Sequence, residues 1–167
     1  AGLAVGNYLF GRLSDCRIHP LILLVIIESG IGLYSLLFQP GIKVLEGFYG
    51  YFVNHFDDFG GHLTIIKFIL SFLFLLIPTT LMGGVIPVLS KFLVSNLAII
   101  GNRISWIYAL NNLGAASGCL LAGFYMIRLA GVQATIYSAS CANLVNALLA
   151  GTLFFVSNGQ NLYGSKP

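Results

Sequence analysis

The chain has 167 residues, of which 57% are hydrophobic and only 8% charged, against roughly 25% charged in an average soluble domain. A soluble domain of this length exposes too much surface to be so poorly charged, so lipid is the expected solvent for most of it. The net charge of +3 comes from scattered residues without a basic run, which excludes an electrostatic footprint for nucleic acid.

In chain order, residues 1–12, AGLAVGNYLFGR, read as the tail of a helix whose own first helix is expected upstream. Gly2 and Gly6 form a GxxxG pair, a pattern that lets a neighbouring backbone approach closely. Residues 13–20 form a polar turn, and Pro20 suits the first position of the next helix. Residues 21–38 are one apolar run of spanning length, with Gln39, Pro40 and Gly41 expected to end it. Residues 42–61 mix charge with many aromatic rings, which predicts an interfacial helix or loop. Residues 62–82 predict the next span, extended through Pro78 and Pro87 to about Val94 as a kinked helix. Residues 95–103 turn the chain, 104–127 predict another span, Arg128 to Gly131 a tight turn, and 132–156 the last span. The polar tail 157–167 is read as disordered. The fold class is therefore all-α, a polytopic transmembrane bundle of about five helices, multi-pass in a cell membrane.

Basic residues near the span ends give a modest orientation bias. Arg12, Arg17, Lys91, Arg103 and Lys166 fall on one side, taken as cytoplasmic, and Lys43, Lys67 and Arg128 on the other. Spacing of four places Ala134, Ser138, Ala142, Asn146 and Ala150 on one face of the last span, with Ala139, Asn143, Ala147 and Gly151 beside it. Asn111, Gly114, Gly118 and Ala122 make a similar face on the preceding span. Helix-to-helix packing is the favoured role of these stripes, over a substrate pathway. The cysteines Cys16, Cys119 and Cys141 lack CxxC spacing and read as small packing residues, with a disulfide or metal site the lesser alternative.

Glu28 lies in the middle of an otherwise uncharged run. An ionisable group at that depth costs about 3 kcal/mol or more, so it should face the bundle interior. Asn111 and Asn112 are its expected partners. A proton or cation site is slightly favoured over a structural hydrogen bond made by a neutral carboxyl. The turn after the first helix carries Gly11, Asp15 and Arg17; by itself it is an ordinary polar turn with basic charge. Dinucleotide, phosphate-loop, zinc-protease and nucleophile-elbow signatures are missing, so no catalytic residue, metal or cofactor is assigned. Asp57 and Asp58 read as a solvated turn.

The string Gly11-Arg-Leu-Ser-Asp15-Cys-Arg17 resembles the loop motif of the major facilitator superfamily, with Cys16 where that family has its first arginine. The resemblance implies that Gly11 permits close helix approach and that Asp15 pairs with a cation across the bundle, latching one conformation. Four strings in order, GLAVGNYLFGRLSD, ESGIGLYSLLFQP, PTTLMGGVIPVLSKFLV and IYALNNLGAASGCLLAGF, resemble the facilitator-like membrane domain of fused spermidine synthase-like proteins. This implies a membrane anchor and polyamine or small-solute transport unit, with a cationic small molecule as ligand and a cytosolic aminopropyltransferase-like domain following. Such a domain is not in these residues, so this chain alone is expected to have no synthase activity. Half of an ordinary facilitator-type transporter and a purely structural bundle are the alternatives.

Overall fold

A computed structural model describes residues 1–16, 18–55, 62–93 and 100–163. The described residues are helical, without a strand: α1 (Gly2–Asp15), α2 (Pro20–His55), α3 (His62–Gly83), α4 (Val85–Leu93), α5 (Ile100–Leu120), a π-helical turn (Leu121–Met126) and α6 (Ile127–Tyr163). Three stretches are long and apolar enough to cross a membrane, Pro20–Tyr51, Thr64–Leu93 and Ile104–Ser157. The third has 54 residues, about 81 Å if straight, far beyond a hydrocarbon core of about 30 Å. Gly131 divides it, with φ 82° and ψ 168°. That left-handed φ is open to glycine and strained for side chains with a Cβ.

α2 is the centre of the molecule. On one side Leu23, Ile27 and Ile31 bury themselves with Val88 of α4, and Phe10, Leu24, Leu81 and Val85 close around them. On the other side α6 lies along α2. Ser140 is fully buried there and its Oγ donates to the Gly32 carbonyl at 2.7 Å. Gly32 has no room for a side chain, because a Cβ would stand 2.9 Å from Leu144. The pairing is antiparallel: the His19 ring meets Phe154 edge-on at 5.1 Å, Val25 approaches Gly151, and Gly32 meets Ser140.

α1 packs on α3 through backbone contact. A Cβ on Gly2 would strike the Thr79 side chain, one on Gly6 the Thr80 carbonyl, and one on Gly83 the Leu3 carbonyl. Pro78 lies inside α3 and lacks an N–H, which frees the carbonyl of Phe74 four residues before it. Tyr34 of α2 takes that carbonyl, its hydroxyl donating at 2.6 Å. Thr79 and Thr80 donate back to the carbonyls of Leu75 and Leu76 in the same turn. Backbone freed by proline inside lipid needs such partners.

Three expectations are corrected. Gln39, Pro40 and Gly41 do not end the second helix, which continues to His55, so residues 42–55 are not a separate interfacial element. Tertiary packing holds the helix through the proline: the Phe74 ring sits on Gly41, where a Cβ would be 2.7 Å from Cζ, and against Phe38 at 5.3 Å. The last helix runs to Tyr163, past the start of the polar tail at 157. Residues 164–167, and Asp57 and Asp58 with the turn expected of them, lie outside the described residues. The span 62–82 corresponds to α3, and its extension is α4, entered by a tight turn in which the Gly84 N–H donates to Leu81.

Candidate functional site

Glu28 falls on the face of α2 turned to α6, one helical turn before Gly32. It is 8% exposed, and its Oε2 is enclosed without a hydrogen-bond partner among the described residues. Asn146 of α6 is the polar side chain set beside the carboxyl. Asn111 and Asn112, the partners expected from sequence, are exposed on α5 and are not brought to Glu28. The correction follows from topology, since α6 rather than α5 lies along α2. Antiparallel depth accounts for Asn146: His19 meets Phe154, and Glu28 stands nine residues beyond His19 while Asn146 stands eight before Phe154.

A carboxyl enclosed in this way is either neutral or matched by a cation that enters, because an uncompensated buried charge is too costly. Asn146 can serve both states, since its amide offers donors and an acceptor. Its residue is exposed on one side, so the carboxyl is one side chain away from the surface of the α2–α6 seam.

The second constellation lies at the end of α1. Asp15 Oδ1 accepts from Lys91 Nζ of α4 at 2.7 Å. The two side chains are 72% and 50% exposed, so the pair tethers α1 to α4 at modest strength. Lys91 was legible only as a charge on the same side as the loop. Arg17 lies outside the described residues. Gly11 is no close-approach position, as a Cβ would meet Pro87 at 4.0 Å, ordinary contact. Arg12 stacks over Tyr8 of its own helix at 5.3 Å.

The packing residues divide. Gly2 and Gly6 are at a helix contact, whereas Gly114 and Gly118 have nothing within 4 Å. Ala142 is exposed, and the buried stripe of α6 is Ser140, Ala147 and Ala150 with half-buried Leu144 and Gly151. The three cysteines are free and exposed, not packing residues, and the described residues hold no cluster of three or more metal-ligand side chains.

Fold and site together define a helical chain with three stretches long and apolar enough to cross a membrane and, among the described residues, one enclosed carboxyl, in its central helix. No family model, curated protein or solved structure matches the chain.

Proposed function

We propose that this chain is the facilitator-like membrane unit of a spermidine synthase-like protein, in which Glu28 receives a proton or a small cation such as a polyamine. The observation that carries this reading is the enclosed Oε2 of Glu28, a costly acceptor without a partner among the described residues. A cation reaching the seam finds a carboxylate to pair with and the Asn146 carbonyl oxygen as a second acceptor. Opening α6 away from α2 admits it, and the Asp15–Lys91 tether at the α1–α4 end adds a contact that forms or breaks with the state of the bundle. The following synthase domain and the polyamine rest on the four resembling strings alone.

Spermidine uptake into proteoliposomes tests the proposal. Glu28→Gln keeps shape and a hydrogen bond but cannot ionise. Folding should survive and pH-dependent uptake should disappear. Unchanged uptake with an intact fold overturns the cation site and leaves the structural reading, a neutral carboxyl buried between helices.

A further inference from the structure

A groove of about 640 Å³ runs between the second half of α2 and the first half of α3, away from Glu28. Its two ends differ in chemistry. Phe38, Phe74 and Leu75 line one end, and Glu46, Tyr49 and Lys67 line the other. The apolar end is closed by the Phe74 ring, which rests on Gly41 where no Cβ fits. At the charged end the Lys67 ammonium stands 4.1 Å over the Tyr49 ring, which fixes where that charge sits. Glu46 and Lys67 form no ion pair with each other, and both are exposed.

The charged end also lies near one end of a stretch apolar enough to span. Lys67 is three residues from the start of Thr64–Leu93 and Lys91 two residues from its end. A bilayer crossed by that stretch would have Lys67 near one headgroup layer and the apolar end of the groove deeper, toward the hydrocarbon. From Phe38 to Tyr49 the groove runs along 11 residues of α2, about 17 Å, close to the hydrocarbon depth of one leaflet, about 15 Å.

We propose that this groove binds one phospholipid with a zwitterionic primary-amine headgroup, of the phosphatidylethanolamine kind. One acyl chain lies along Phe38, Phe74 and Leu75, the phosphate meets Lys67, and the ammonium meets Glu46. The pair of charges decides between headgroups. A purely anionic headgroup satisfies Lys67 but is repelled by the Glu46 carboxylate. A quaternary amine carries the positive charge but has no N–H to donate. A primary ammonium both neutralises Glu46 and hydrogen-bonds it, a charge-assisted contact.

Native mass spectrometry of the detergent-solubilised protein tests this with phosphatidylethanolamine, phosphatidylglycerol and phosphatidylcholine of identical acyl chains. The wild type should retain the ethanolamine lipid at least about five-fold over the other two, a free-energy difference of about 1 kcal/mol. Glu46→Gln should reduce that preference over phosphatidylglycerol to less than about two-fold. Lys67→Gln should lower retention of all three lipids, since each carries the phosphate that meets Lys67. Ser71→Trp, which fills the groove from an exposed lining position, should lower retention of all three lipids. Equal retention by the wild type, a preference that survives Glu46→Gln, or retention untouched by Ser71→Trp overturns the proposal. Displacement by inorganic phosphate alone at millimolar concentration also overturns it, by making the site one for a free anion. All three side chains are exposed, and unchanged thermal unfolding of each variant shows that a loss of retention is not a loss of fold.

Discussion

α1 and α5 are both rich in small residues, and they behave in opposite ways. The Gly2–Gly6 pair of α1 sits against the Thr79–Gly83 turn of α3 so closely that a single methyl group would collide with main chain or hydroxyl. The Gly114–Gly118 pair of α5 has nothing within 4 Å, and every residue from Tyr108 to Leu121 is exposed. A four-residue spacing of glycines thus permits close contact without producing it. In lipid no hydrophobic force gathers helices, so a small-residue face closes only where a shaped partner is supplied. For α1 the partner is the proline-distorted turn of α3, with glycines at Gly83 and Gly84.

The largest expected effect breaks that contrast directly. Gly6→Leu drives a side chain into the Thr80 carbonyl, which cannot yield without moving α3. A loss of about 3 kcal/mol, at the upper end for overpacking, is expected in equilibrium unfolding in mixed micelles. Gly118→Leu should change stability by less than about 0.5 kcal/mol. Similar losses at the two sites would show that α5 is packed and end the comparison.

A smaller effect sharpens the account of the α3 turn. Tyr34→Phe leaves the Phe74 carbonyl without its donor, at an expected cost of about 1–2 kcal/mol. Pro78→Ala restores a backbone N–H to that carbonyl, so Tyr34→Phe should cost under about half as much in that background. An additive double variant would mean that the tyrosine does not serve the proline gap. On α5 the equivalent polar group, Ser117, bonds only carbonyls of its own helix, at Leu113 and Gly114, and Ser117→Ala should be near neutral.

The smallest effect concerns Asp15 and Lys91. Asp15→Asn should cost at most about 1 kcal/mol at low salt, because both side chains are largely exposed. Screening should erase most of that in 1 M salt, where the Debye length is about 3 Å. A salt-independent loss would make the pair a buried element of the core instead.

Much of the helical architecture was readable because apolar length between polar breaks is a local property. Glu28 likewise had to face protein, since its neighbours from Leu21 to Phe38 are uncharged, and it is buried. What local pattern could not supply was the identity of neighbours. Pro40 and Gly41 look like a stop signal until Phe74 and Phe38 are seen to pack across them. The last span carries several parallel stripes of small residues, and only the position of α2 selects the one through Ser140 and Ala147. The partner of Glu28 was misassigned for the same reason. Asn111 and Asn112 are chemically as suitable as Asn146, but they are exposed on a helix that does not lie along α2.

The antiparallel seam of α2 and α6 also orders events during synthesis. Its hydrogen bond joins Ser140 to Gly32 across 108 positions, and Asn146 follows Glu28 by 118. At about 5–20 residues per second, the ribosome needs roughly 6–24 s to deliver Asn146 after Glu28. For that interval α1 to α4 can assemble among themselves, while the carboxyl-bearing face of α2 waits in the membrane or its insertion machinery for a cover still to be translated.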